Sequence, residues 1–186
     1  MLDDIVFLDD ATRPAPPTLE GVTDEQKAPG QHLRMIHDHL RENMEVLRRL
    51  VERAAAGTVT PAQVAEETGD LTMIANYRRF GNLCGQYCQF VHMHHSIEDQ
   101  AIFPALSQKG EAFRKIAERL AAEHVVVHEL LVRLVGALGE LARNSTPESF
   151  ATARELFDAL ERVLLSHLGY EEDAIGDALG YFKIGS

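Results

Sequence analysis

The chain has only two cysteines and no tryptophan among its 186 residues. Cys84 and Cys88 stand one helical turn apart. A bridge across that spacing is strained, and two cysteines build no disulfide framework, so a reducing compartment is expected. Cations are scarce too: 18 Lys+Arg against 29 Asp+Glu leave a formal charge of −11, with no basic stripe. That balance argues against nucleic acid and against an anionic membrane surface as partners. No apolar run reaches the roughly 20 residues that a membrane span needs. The start, MLDDIVFLDD, is acidic where a secretory signal would be basic, so the expected location is cytoplasmic. No segment alternates as a strand would, and the length suits one domain.

What the chain does have is helical periodicity. Residues 1–30 stand apart as an arm: Arg13-Pro14-Ala15-Pro16-Pro17 is extended by its prolines, and Pro29-Gly30 reads as a stop before the first helix. Leu33, His37, Leu40, Met44, Leu47 and Val51 then fall on one stripe. Thr60-Pro61-Ala62-Gln63 has the form of a capping box opening a short helix that closes near Gly69. A long helix is expected from about Leu71 through His94 and Glu98, weakening around Pro104. After the turn at Lys109-Gly110, Ile116, Leu120, His124, Val127, Leu131, Leu134 and Leu138 form a third stripe. Thr146-Pro147-Glu148 opens a fourth, with Phe157, Leu160, Leu164, His167, Glu171, Ala174 and Ala178 on its face until Gly180. The expected fold is all-α: an up-down-up-down antiparallel four-helix bundle over residues 31–180, with the N-terminal arm, short extra helices and a tail at 181–186.

The chemistry lies on those stripes. A segment His94-His95-Ser96-Ile97-Glu98-Asp99-Gln100-Ala101-Ile102 returns as His167-Leu168-Gly169-Tyr170-Glu171-Glu172-Asp173-Ala174-Ile175. In each copy a His and a Glu stand four residues apart, about 40° on a helix, so the pair can aim at one point. His124 and His128 repeat that spacing, and His37 lies upstream. Taken singly, each piece reads as a hydrogen-bonded core residue or a surface pair. Taken together, His37, His94, Glu98, His124, His128, His167 and Glu171 put carboxylates and imidazoles on apolar faces, at a cost of several kcal/mol for each unpartnered charge unless something binds them. Imidazole and carboxylate donors suit iron, manganese or zinc, and five His with two Glu overfill one ion, so two metals are expected.

The order His … HisxxxGlu … HisxxxHis … HisxxxGlu on four helices, with the stretch HHSIEDQAIFPAL, resembles the hemerythrin family and most closely its bacterial hemerythrin-like (HHE cation-binding) branch. The resemblance covers about residues 31–180. It implies a non-haem pair of iron ions bridged by carboxylates and an oxo or hydroxo group. By position, His124, His128 and His167 would cap one iron and His37 and His94 the other, with Glu98 and Glu171 bridging. The second iron would keep an open position for a small oxidant: O2, peroxide or nitric oxide. A catalase-like removal of peroxide is the enzymatic form this implies; an oxygen, iron or redox sensor and a structural zinc bundle are the alternatives. One departure is that the oxygen carriers place an Asp five residues after the last His, where this chain has Glu172. The internal repeat pairs Glu171 with Glu98, so Glu171 is chosen and Glu172 kept as its rival.

The remaining polar residues are assigned outside the metal set. His37 is preferred to His39 because it alone shares the stripe of Leu33 and Leu40. His95, next to His94 and off its face, is expected in solvent or as an outer hydrogen-bond partner, and His32 and His92 have no role. Cys84, Cys88 and Tyr87 are read as packing residues.

Overall fold

The computed structural model describes residues 2–56, 60, 93–144 and 146–184, and no strand occurs among them. A 3-10 turn at Asp10–Thr12 precedes helix α1 (Asp24–Ala55). Helical residues 93–97 run into a π-turn (Glu98–Ile102) and then α2 (Phe103–Ser107). Two long helices follow, α3 (Glu111–Arg143) and α4 (Pro147–Tyr181). The chain is an all-α helical bundle, and none of its described helices is long and apolar enough to cross a membrane. Beyond Thr60, the helix expected at Thr60–Gly69, the start of the second long helix, and Cys84, Tyr87, Cys88 and His92 lie outside the described residues.

The described residues fall into two compact units. One takes Val6–Arg41, His94–Val126 and Val163–Ser186. Its core joins Leu33 of α1, Phe103 and Leu106 of α2, Ile116 and Leu120 of α3, and Ile175 of α4. The other takes Met1–Ile5, Glu42–Met93 and Val127–Arg162. There Leu47, Leu134, Leu141 and Phe157 are buried, and the carboxylate of Glu161, itself buried, pairs with Arg48.

Two boundaries differ from the sequence expectation. Pro29-Gly30 is not a stop: α1 begins at Asp24 and runs through both. Its start is a capping box, in which Gln26 N–H donates to Thr23 Oγ1 (3.3 Å) and Thr23 N–H to Gln26 Oε1 (2.9 Å). Gly180 likewise does not end α4, which continues to Tyr181; Lys183, at φ 54°, takes the left-handed position beyond it. Both glycines serve helix contact instead. A Cβ on Gly30 would stand 2.5 Å from the carbonyl oxygen of Gly176, and one on Gly180 would stand 1.8 Å from that of Gln26. Residue numbers rise along α1 as they fall along α4 through these contacts, so the two helices are antiparallel.

The π-turn sets the phase of the segment before α2. Phe103 N–H donates to Glu98 C=O, five residues back. On a regular helix residues five apart point about 140° away from each other, whereas a π-turn brings them to nearly the same side. Glu98 and Phe103 are accordingly both buried. Replacing Gly30 or Gly180 by Ala is expected to lower stability by about 1–3 kcal/mol, since each new methyl meets backbone that cannot move aside. Gly176→Ala, whose nearest atom is an ordinary 3.8 Å away, is expected to be neutral or stabilising. Thermal denaturation of the three variants checks the order; Gly176→Ala as the most damaging would contradict the packing.

Candidate metal centre

All donors of the candidate centre belong to the unit built from Val6–Arg41, His94–Val126 and Val163–Ser186. His37 comes from α1; His94, His95 and Glu98 from the segment ending in the π-turn; His124 from α3; His167 and Glu171 from α4. Every one of the seven is buried or nearly so. They form two groups whose donor atoms lie within 4.8 Å of one another: His95, His124 and His167, and His37, His94, Glu98 and Glu171. The carboxylates connect the groups. Glu98 Oε1 is 3.2 Å from His94 Nε2, while its Oε2 is 3.6 Å from His124 Nε2. Glu171 Oε2 is 3.4 Å from His37 Nε2 and 3.6 Å from His167 Nε2.

The histidines are turned by carboxylates behind them. His37 Nδ1 lies 2.9 Å from Glu172, His124 Nδ1 3.0 Å from Asp99, and His167 Nδ1 3.0 Å from Glu123. A carboxylate accepts the proton on Nδ1, which leaves the Nε2 lone pair facing inward, the usual arrangement behind metal-ligating imidazoles. Two of these carboxylates are anchored in turn. Glu123 accepts from Arg13 (2.8 and 3.0 Å) and Arg119 (2.6 Å); Glu172 accepts from Arg34 (3.2 Å) and Arg41 (2.7 Å). Glu172 therefore stands outside the cluster, against His37 Nδ1, and Glu171 stands inside it.

The inward-facing atoms fit a cation. His95 Nε2, His124 Nε2, His167 Nε2 and all four oxygens of Glu98 and Glu171 are buried without a hydrogen-bond partner. The Nε2 atoms of His37 and His94 face each other at 3.1 Å. Buried polar atoms are nearly always satisfied, so this many orphaned acceptors converging on one place mark a site built for positive ions. Burial, then the facing charge of Glu171, pushes Glu98 up to about 11. Burial acts on Glu171 the same way, but the close approach of His37 and the neighbouring imidazoles hold it below the ordinary carboxylate range. Burial lowers His94 to about 4 and drives His95 further down, where His124 and His167 add to the effect. Burial raises Glu123 as well, but its bonds from His167, Arg13 and Arg119 outweigh that and bring it down to about 2.

One pair of residues is placed the other way round from the sequence expectation. His128, expected in the cluster, is exposed on α3 and belongs to neither group. His95, expected off the face, is buried, its ring stacked on His124 with centroids 3.7 Å apart. The reason is angular. The buried face of α3 is centred near Leu120 and Val127 and extends to Glu123, so His124 is already at its edge. The step to His128 adds about 40° outward. On the other segment, Glu98 lies at about 40° and His95 at about 100° from His94, so the two imidazoles flank the carboxylate and all three face one point. The doubled His before the Glu was the available signal. His39 and His32 are exposed.

The shifts fix a pH dependence for the metal-free protein. Below 6.5, the ordinary histidine value, the unfolded chain takes up protons that His94 and His95 refuse in the folded state, so stability falls as pH drops toward 4. Above 4.5, the ordinary glutamate value, the folded state keeps a proton on Glu98 that the unfolded chain releases, so stability falls as pH climbs toward 11. Between 4.5 and 6.5 two imidazoles outweigh one carboxyl. Chelated protein in denaturation experiments should therefore be most stable near pH 6.5, and a steady decline from pH 5 to 8 would contradict this.

Comparison with known proteins agrees with the geometry. The family model described as the hemerythrin HHE cation binding domain matches residues 28–179. No curated protein and no solved structure matches the chain. With four-fifths of its length under that match and a His/Glu cluster able to bind metal at its centre, the chain belongs to the hemerythrin HHE cation-binding domain family.

Proposed function

We propose that the chain holds two iron ions, oxo- or hydroxo-bridged, and binds or reacts with O2, hydrogen peroxide or nitric oxide. His95, His124 and His167 would hold one ion, and His37 and His94 the other, with Glu98 and Glu171 shared. The observation that carries this reading is the convergence of buried, unpartnered imidazole and carboxylate atoms from the four segments. Seven donors exceed what one tetrahedral zinc takes, and they leave room for exogenous ligands on two five- or six-coordinate ions. The split of three imidazoles against two gives the ions unequal surroundings and leaves the His37–His94 side the more open.

An iron pair supplies reversible redox change and an open coordination position. The chain's own residues do the rest. Phe103, stacked on His124, helps to keep bulk water away, Glu172, Asp99 and Glu123 hold the rings in place, and the buried carboxylates offset the added positive charge. Catalase-like peroxide decomposition would be the enzymatic form of this chemistry. A second reading, a sensor in which the state of the centre changes contacts elsewhere, is favoured by the bond between Arg13 of the arm and Glu123 behind His167.

Metal analysis with a visible spectrum tests the proposal, because an oxo-bridged ferric pair is coloured and zinc is not. About two irons per chain are expected under metal-replete preparation. His95→Ala should remove roughly one of them, and His128→Ala should leave both. Loss of a carboxylate behind a ligand, as in Glu172→Ala, should weaken binding by about 10- to 100-fold without abolishing it. One ion per chain at full occupancy, or a larger loss for His128→Ala than for His95→Ala, would sink the assignment.

A further inference from the structure

The 3-10 turn Asp10–Thr12 of the arm buries no residue, yet the segment Asp9–Pro14 is held by a dense set of polar contacts. Arg13 grips Glu123 through Nε and Nη2 (2.8 and 3.0 Å), donates to Ser166 (2.8 Å), and lies over the Tyr170 ring, 4.8 Å from its centre. Tyr170 OH donates to the carbonyl of Pro14 (2.9 Å), and Arg119 donates to Asp9 O (2.9 Å) and Thr12 Oγ1 (2.7 Å). Ser166 donates to Asp10. Asp9–Pro14 precede the family match, which begins at residue 28. Arg13, and Arg119 which also holds the turn, both donate to Glu123, the carboxylate that accepts from His167 Nδ1.

We propose that the arm is a latch on the metal centre: through Glu123, Arg13 tunes the ion held by His167, and the oxidation state of that ion decides how firmly the arm is held. This rests on the di-iron reading above. Arg13 brings a positive charge to Glu123 and weakens its pull on the Nδ1 proton of His167. Without Arg13, Glu123 keeps Arg119 as a cation partner and pulls harder, which makes the imidazole a stronger donor to the metal. A stronger donor favours the more highly charged, ferric ion. The docked arm therefore favours the ferrous ion. Coupling between two sites is reciprocal, so reduction tightens the arm and oxidation loosens it. Arg13 is thus a positioning and tuning residue that touches no ligand atom of the metal.

The test uses the full chain loaded with iron: wild type, Arg13→Ala, Arg13→Lys and Asp4→Ala. Asp4 also belongs to the arm, but it pairs with Arg133 and falls, with it, in the other compact unit. Iron content is measured first, then the midpoint potential by redox titration of the visible spectrum. Hydrogen exchange at the amides of Ala11, Thr12 and Arg13, which are bonded to Asp9 and Asp10 in the docked turn, reports the arm in both redox states. Arg13→Ala should lower the potential, Arg13→Lys should restore most of the shift, and Asp4→Ala should leave it unchanged. In wild type the arm amides should exchange about tenfold faster when the centre is oxidised, within the usual range of such couplings. An unchanged potential in Arg13→Ala, an equal shift in Asp4→Ala, or exchange independent of redox state would overturn the latch while leaving the di-iron reading intact. Absence of bound iron would overturn that reading, and the latch with it.

Discussion

Two carboxylates buried beside each other among imidazoles are the constraint to which the rest of this molecule answers. The oxygens of Glu98 and Glu171 are buried without a hydrogen-bond partner, and Nε2 atoms of histidines stand 3.2–3.6 Å from them. Such an arrangement is costly in any state that lacks positive charge at its centre. It persists because its parts are fixed from behind: Nδ1 atoms tied to carboxylates, and two of those carboxylates tied to arginines. The packing serves the same end. Gly30 and Gly180 let α1 and α4 meet backbone to backbone, about two turns along from where His37 reaches Glu171. A methyl at either glycine would push apart the two helices that supply one side of the cluster.

Much of this was legible from periodicity. The buried stripe of α1 runs Leu33, His37, Leu40, Met44, Leu47, and that of α4 carries His167 and Glu171 among leucines and alanines, as the spacings require. What periodicity could not rank was the angular centre of a stripe. His124 and His128 match the helical repeat as well as His94 and Glu98 do, but the burial of Glu123 shifts the inward face of α3 away from His128. Glu123 carries no local mark in the sequence, because its partners Arg13 and His167 are distant in the chain. Pro29-Gly30 misled for a similar reason. A glycine near a helix end signals a terminus when only local sequence is weighed, and the need for contact with Gly176 is not local. The π-turn at Glu98–Ile102 has no simple sequence mark, yet without it Phe103 would point away from the ring of His124 that it stacks on.

Charge alternates outward from the centre. Inner glutamates face the place where cations would sit; imidazoles surround them; a second layer of carboxylates accepts from the imidazoles; and arginines close the outside on two of the three branches. In a chain of net charge −11, this layering keeps the inner negative charge from being only one more source of repulsion. The three branches are not equivalent. Glu123 and Glu172 are nearly buried and each is held by two arginines, whereas Asp99, behind His124, is 42% exposed. Water screens Asp99 and weakens its grip on His124, while the arginines fix the charge on the other two. The rings of His37 and His167 are therefore the rigidly set ones, and they are also the two that approach Glu171. That carboxylate is held in place from both sides, whereas Glu98 sits on the π-turn, next to the exposed Asp99.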